Sequence, residues 1–458
     1  MNDALDLGGT HPPVLQRPLK IFTERQLDRI APLQTLSAEQ RFAMHVVAQV
    51  LPFRVNQYVV DELIQWDQVP DDPMFRLAFP QQEMLGPAHF ARIADLLRSG
   101  ASHEAVRTAA REIQLSLNPH PADQRTLNVP RVNDQPLPGV QHKYRETVLF
   151  FPSQGQTCHS YCTFCFRWPQ FVGDKSLHMG AHEGEKLRAY LAAHPEVSDL
   201  LVTGGDPMVM KTADLAAYLE PLLDARFDHL QNLRIGTKAL TWWPFRFLSD
   251  PDADDLLRLF ERVVESGRHL ALMAHFDHWR ELEAPAARAA IRRVRDTGAV
   301  IRCQGPLLNH VNNDPAVWAR LWREQVRLGM VPYYLFVERD TGARHYFEVP
   351  LARALEVYRE AIQAVSGLAR TVRGPSMSAS PGKVEVQGVA EVAGEQVFVL
   401  RFIQGRNPDW VERPFFARFD PAATWLNDLR PAHGAERFFF EEEYLQMRQR
   451  SGLDNRYS

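Results

Sequence analysis

Val148-Leu-Phe-Phe-Pro-Ser-Gln-Gly-Gln-Thr-Cys158-His-Ser-Tyr-Cys162-Thr-Phe-Cys165 is a short apolar strand that runs into a loop carrying three thiols. The rest of the 458-residue chain holds one other cysteine, Cys303. Three thiols packed into so short a run can converge on one metal centre, and they leave it one protein ligand short of four. A 4Fe–4S cluster takes four ligands, so a corner without a cysteine is open to a substrate or cofactor. The alternative is a structural zinc site with His159 or Cys303 as fourth ligand. Zinc sites usually bring their ligands as two separated pairs, and this sequence has no second pair.

Outward from this stretch the chain alternates strand and helix. Apolar runs at Leu200-Leu-Val-Thr203, Leu233-Arg-Ile235, Leu270-Ala-Leu-Met273, Val300-Ile301 and Val331-Pro-Tyr-Tyr-Leu-Phe-Val337 recur every 30 to 37 residues, the length of a strand–helix unit. Between them Leu256, Leu259, Phe260, Val263 and Val264 mark one helical face, with Gly267 as a stop. Asp314-Pro315 reads as a cap with a first-turn proline, and Gly329 closes that helix. Pro221 sits inside a third helical stretch and predicts a break there. Such alternation implies an α/β fold with a parallel sheet covered by helices. Six units predict an open partial (βα)6 barrel over residues 141–368, with the cysteine loop at the C-terminal ends of the strands, where parallel barrels carry their chemistry.

Residues 1–140 read as a helical region with proline-rich connections. Ser37-Ala-Glu-Gln40 looks like a capping box, and five prolines in 116–140 predict an extended crossing segment. Residues 369–458 form a smaller C-terminal region: Val384 to Ile403 is strand-rich with a hairpin turn at Ala393-Gly394-Glu395, and the tail from about 405 reads as loop-rich.

Basic residues number 52 and acidic ones 56, a net charge of −4 with no broad footprint for nucleic acid. The polar start predicts no signal peptide, and no window is long and apolar enough to predict a membrane span. Few cysteines, three of them crowded as ligands, are expected of a protein of the reducing cytoplasm.

The C-x3-C-x2-C spacing, with Phe164 before the last cysteine, resembles the cluster motif of radical S-adenosylmethionine (SAM) enzymes. Further motifs resemble the lysine 2,3-aminomutase family: Leu201-Val-Thr-Gly204-Gly205-Asp206-Pro207, Arg234-Ile-Gly-Thr-Lys238, Ala274-His275-Phe-Asp-His278, and Gln304 with Leu307-Leu308 and Val311-Asn312. The likeness begins near Phe53-Arg54, includes Asp72-Pro-Met-Phe-Arg76 and runs to about residue 410. It implies the radical SAM barrel, a 4Fe–4S cluster on Cys158, Cys162 and Cys165, and SAM contacts from Phe164, Gly204, Gly205, Asp206, His275 and Gln304. It also implies an electron donor of the flavodoxin or ferredoxin kind. A homo-oligomer is a further possibility.

Members of that family hold pyridoxal 5′-phosphate (PLP) on a lysine in a Gly-rich loop, and Ser380-Pro381-Gly382-Lys383 stands in that place. Lys383 is the expected catalytic and PLP-binding residue, because a lysine amine is what the substrate amine displaces. Arg167 matches the arginine that binds the substrate carboxylate, and Glu338 falls where an acid meets the far end of the substrate. The chain also departs from the family. Ser376 stands where a second acid is expected, and Lys143, in His142-Lys143-Tyr144, and Thr147 stand where arginines are expected. The resemblance thus implies a PLP-dependent amino-acid 2,3-aminomutase that moves an α-amino group to the β carbon, for a small-molecule substrate other than free lysine. Two alternatives are a radical SAM enzyme of the same family abstracting hydrogen without PLP, and a non-catalytic iron–sulfur or zinc protein.

Overall fold

The computed structural model describes residues 16–133, 135–174, 178–181 and 184–451. One eleven-stranded sheet organises the chain, its strands hydrogen-bonded in sequence order from end to end. They are β1 (Val140–Tyr144), β2 (Thr147–Phe150), β3 (Asp199–Val202), β4 (Asn232–Thr237), β5 (His269–His275), β6 (Val300–Leu307), β7 (Val331–Val337), β8 (Arg373–Ser378), β9 (Gly382–Val392), β10 (Glu395–Gly405) and β11 (Pro414–Arg418). The pairs from β2 to β8 are all parallel, whereas β1 and β9 to β11 pair antiparallel. Six helices make the parallel crossovers: α1 (Gly184–Ala193), α2 (Thr212–Leu219), α3 (Ala253–Glu265), α4 (Pro285–Asp296), α5 (Pro315–Arg327) and α6 (Leu351–Gln363).

Period-two alternation decides which side of the sheet is dry. Leu200, Val202, Leu233, Ile235, Leu270, Leu272, Ile301 and Cys303 point outward into one core with Leu215, Leu256, Phe260, Ile291 and Trp322 of the helices. The alternate residues Asp199, Leu201, Arg234, Gly236, Arg302 and Gln304 are only half-buried and line the inner face. The sheet curls: the Lys143 ammonium of β1 donates to the Ala379 carbonyl beyond β8. The polar inner residues are therefore gathered rather than spread.

Local signals read from the sequence recur as geometry. Ser37 Oγ accepts from Gln40 N–H at 3.1 Å while the Ser37 N–H donates to Gln40 Oε1 at 3.0 Å, the reciprocal cap. Asp314 caps α5 through Ala316 N–H at 2.8 Å. The helix carrying Pro221 breaks: α2 stops at Leu219 and a 3-10 turn follows. Ala393 and Gly394 both take positive φ, the conformation a tight hairpin turn requires.

Three strands of the sheet escape a reading of the sequence: β1, whose residues are read only for a motif, β8 and β11. β8 contains Gly374-Pro375, residues that weaken or block a ladder, yet it is a parallel neighbour of β7. In the tail, β11 and the helix Glu441–Arg450 replace the expected loop. Tyr444 and Arg448 of that helix bind the buried Asp123 carboxylate at 2.7 and 2.8 Å, which pins the tail to the crossing segment. Among the described residues no helix is long and apolar enough to cross a membrane.

Candidate active site

The cysteine loop follows β2 and is held from two sides. From the N-terminal region, Arg54 O accepts from Tyr161 N–H at 2.8 Å, Leu77 O from Thr163 N–H at 3.0 Å, and Arg76 O from Thr163 Oγ1–H at 2.7 Å. Arg54 Nη1 donates to Thr157 Oγ1 at 2.9 Å, and the Asn56 N–H donates to Ser160 Oγ at 2.9 Å. The stretches Phe53-Arg54 and Asp72–Arg76 are thus the scaffold of the loop.

From the other side, the turn after β3 meets the loop backbone to backbone. The Asp206 N–H donates to Thr157 O at 2.7 Å and to Gly155 O at 3.1 Å. A Cβ at Gly205 would stand 2.4 Å from Thr157 O, so only glycine permits this approach. Gly204, at φ +156°, would meet the Gln156 side chain at 2.2 Å. Gly205→Ala is expected to push the cysteine loop away. It should lower stability by about 1–3 kcal/mol and reduce iron bound per chain, read by thermal unfolding and metal analysis.

Asp206 is the pin between three elements. Its carboxylate accepts from the Met208 N–H, Thr237 Oγ1–H and Lys238 N–H, each at 2.9 Å. Burial still pushes its carboxyl up to about 6. These contacts spend most of its acceptor capacity inside the protein.

The three thiols are close enough to affect one another. Burial first, then Asp206 and the other two thiols, raise the Cys158 pKa well above the usual cysteine range. Burial also raises Cys162, while the Lys238 ammonium opposes it, and burial takes Cys165 up to about 12. Free thiolates are thus disfavoured here and need a positive partner. Among the described residues no three His, Cys, Asp or Glu side chains are gathered tightly enough for a single metal ion. A cubane makes a looser demand, because it spreads three thiolates over three corners. Cys303 lies in the helix-covered core, its Sγ 3.9 Å from Met330 Sδ, and the His159 ring stacks on Trp243. The sequence alternative of zinc with Cys303 as fourth ligand therefore lacks that ligand.

Around the loop, the Phe164 ring stacks on His275 at 5.6 Å. Lys238 Nζ donates to Asp277 Oδ2 at 2.7 Å and to Glu281, which ties the ends of β4 and β5 together. Burial works against that ammonium, but Asp277 and Glu281 outweigh it and hold its pKa above the ordinary lysine range. Gln156 Oε1 and Asp277 Oδ1 are buried without a hydrogen-bond partner, while His275 Nδ1 faces Asp277 Oδ2 at 3.4 Å. Orphaned polar atoms beside the thiols are a cradle for a polar ligand. Gln304 pairs with His275 across β5 and β6 and is half-buried on the inner face.

Lys383 opens β9, directly after Gly382, where a Cβ would stand 2.4 Å from Gln404 O. Its Nζ lies 4.0 Å from the centroid of the Tyr334 ring on β7. Burial, then Arg234, Arg373 and Arg339, lower its pKa to about 7, with Asp199 opposing. Lys143, like Lys383, is half-buried; loss of hydration, then Arg406 and Arg339, push its pKa well below the lysine range.

No profile of a known protein family matches the chain. A protein of Aquifex aeolicus (strain VF5) named "Putative L-lysine 2,3-aminomutase" is 31% identical to it over 397 residues, 86% of this chain and 92% of that one. The chain belongs to the lysine 2,3-aminomutase family. The L-lysine 2,3-aminomutase of Escherichia coli (strain K12) is 31% identical over 248 residues, 52% of this chain and 67% of its own. That of Clostridium subterminale is 28% identical over 258 residues, 56% of this chain and 58% of its own.

As a member of the lysine 2,3-aminomutase family, the chain places its remaining candidate residues as follows. Arg167 is buried; its Nη1 donates to Gln124 Oε1 at 2.9 Å, and its guanidinium stacks on Phe151 and Phe166. Glu338, just past β7, is buried, and burial followed by Asp277 holds its carboxyl well above the usual range. Ser376 is fully buried in β8, its hydroxyl donating to Leu335 O at 3.4 Å. Thr147 Oγ1 donates to Asp199 Oδ2 at 3.3 Å. Arg339 is a residue that the sequence reading did not single out. Both Arg167 and Lys383 feel its charge, so the cysteine loop and the lysine share one electrostatic neighbourhood.

Proposed function

We propose that this protein is a radical SAM, PLP-dependent aminomutase that moves the α-amino group of an amino acid to its β carbon. The parallel strands β2 to β7 with their helices are read as the open six-unit barrel of such enzymes. The observation that carries the reading is the pairing of two half-sites. A three-thiol loop lies at the C-terminal end of β2, and a half-buried amine of lowered pKa feels the charge of Arg339, whose guanidinium carbon lies 4.6 Å from the Phe166 ring of that loop.

Both cofactors fit the residues present. Cys158, Cys162 and Cys165 would hold a 4Fe–4S cluster, whose cationic iron meets the need of three half-buried thiols of raised pKa. Gly204, Gly205, His275 and Gln304 would border SAM, where buried polar atoms stand without partners. When bound and reduced by an external one-electron carrier, cluster and SAM together supply a carbon radical that removes substrate hydrogen. Lys383 would hold PLP, since a nucleophilic amine must be neutral and its cationic neighbours keep it so near pH 7. Arg234 and Arg373, with Lys143, also suit a phosphate dianion. When bound, PLP supplies the conjugated system through which nitrogen shifts between adjacent carbons.

The residues of the chain do the positioning. Arg167 presents a planar guanidinium two residues from Cys165, suited to clamp an α-carboxylate beside the radical source. Glu338 and Ser376 offer the far end of the substrate one acid held toward its neutral form and one buried hydroxyl. A substrate ammonium finds no firm counter-ion there, which supports a substrate other than free lysine. The test is anaerobic incubation of reduced, SAM- and PLP-loaded protein with a panel of amino acids, followed by analysis for β-amino acids. A β-amino product from a substrate other than lysine is expected. Efficient formation of β-lysine would refute the substrate part, and SAM cleavage without a β-amino product from any amino acid would refute the reaction.

A further inference from the structure

Several buried or half-buried arginines in this chain are neutralised. Arg246 pairs with Asp252 at 2.7 Å, Arg448 with Asp123 at 2.8 Å, and Arg280 with Asp72. Arg167 and Arg339 differ. Arg167 reaches only the neutral amide of Gln124, and Arg339 Nη2 donates to Ser378 O at 2.9 Å. Among the described residues neither has a carboxylate within ion-pair distance, although Glu338 and Asp340 flank Arg339 in sequence.

Both guanidinium groups lie against one ring. Phe166, next to Cys165, has its centroid 5.1 Å from the Arg167 guanidinium carbon and 4.6 Å from that of Arg339. The two carbons are thus no farther apart than those two distances end to end. The Phe166 ring is 36% exposed, one of the few large apolar side chains that open to solvent. Arg167 is buried and Arg339 half-buried, so two cations stand side by side, partly out of water and with no carboxylate in ion-pair contact, an arrangement that favours an anion between them. A single carboxylate completes one.

We propose that the substrate is a dicarboxylic α-amino acid of the aspartate or glutamate kind, its α-carboxylate held by Arg167 and its side-chain carboxylate by Arg339 across Phe166. This rests on the aminomutase reading and narrows it to a substrate class. A short dicarboxylate fits two guanidinium forks that share one ring, each fork taking a carboxylate through two parallel hydrogen bonds. A cationic side chain at the same place would meet Arg339 as a like charge, which discriminates against it.

The competing occupant of Arg339 is the phosphate of PLP, since Lys143 and Lys383 also feel its charge. Calorimetric titration of the PLP-loaded protein with L-aspartate, L-glutamate, L-leucine and L-lysine separates the two. Aspartate or glutamate is expected to bind at least about tenfold more tightly than leucine or lysine. Arg339→Gln should abolish that preference while leaving leucine binding and PLP content, read by absorbance, unchanged. Arg339→Lys should keep part of it. Should Arg339→Gln fail to fold, the preference of the wild-type protein and of Arg339→Lys decides alone. Tighter binding of lysine or leucine than of either dicarboxylate overturns the proposal, as does loss of PLP in place of loss of amino-acid affinity. Dicarboxylate binding that depends on Arg339, with no β-amino product from any amino acid, would instead defeat the aminomutase reading and leave this assignment standing.

Discussion

With Cys158, Cys162 or Cys165 replaced by alanine, the anaerobically reconstituted protein is expected to lose its iron–sulfur absorbance and all reductive cleavage of SAM. With Cys303 replaced, both should be retained. The contrast follows from where the thiols sit. The first three lie in one loop, each raised in pKa chiefly by loss of hydration, so each needs a positive partner to exist as thiolate. Removing one leaves two corners of a cubane without protein ligands, and a site with two open corners does not keep its geometry. Cys303 points outward from β6 into the apolar core against Met330, where it has no role in metal binding. Iron content near zero in all three loop variants, with the loop still folded by thermal unfolding, is the expected outcome. Iron retained in any one of them would remove that cysteine from the ligand set. Stoichiometric zinc without iron in the wild-type protein would end the cluster reading.

The strands that could be read from the sequence are those whose outer residues face helices. Leu200, Val202, Leu233, Ile235, Leu270 and Leu272 are apolar because α1 to α4 cover them, and that burial is written as periodicity. β8 left no such trace. Ser376 and Ser378 replace the aliphatic residues of a parallel strand, and the adjoining Gly-Pro argues against one; neighbours on both sides hold it in place. Within the site, the cysteine loop was legible because its spacing is rare. Arg339 was not. Beside Glu338 and Asp340 it reads as part of a solvated turn, and only the curl of the sheet brings its guanidinium to the Phe166 ring and toward Lys383. Asp206 shows the reverse case: its motif marks a cofactor turn, while its carboxylate is largely occupied in joining β3, β4 and the cysteine loop.

Lys383→Ala is expected to abolish both covalent uptake of PLP and any amino shift while leaving SAM cleavage intact. The two activities separate because the thiols lie after β2 whereas the lysine stands at the start of β9, and among the described residues no hydrogen bond joins the Lys383 side chain to the cysteine loop. Borohydride reduction of the PLP-loaded wild-type protein should leave a pyridoxyl label on the peptide containing Lys383. The pH dependence of that labelling is a second readout. Burial and three arginines favour the neutral amine, so the reactive fraction should rise with pH through a midpoint near 7, well below that of an ordinary lysine. Arg373→Gln takes away one of those cations, so its midpoint should move upward. The sign follows from charge alone: with less repulsion the ammonium form persists to higher pH. A label on Lys143 instead would reassign the cofactor lysine, since Lys143 is also half-buried and of lowered pKa. Lys143 is the less suited of the two. Its ammonium already donates to Ala379 O, so freeing it for reaction breaks a contact between β1 and the loop that precedes Lys383. Lys383 lies against aromatic faces, makes no hydrogen bond that reaction must break, and sits where Arg339 and Arg373 face the same space.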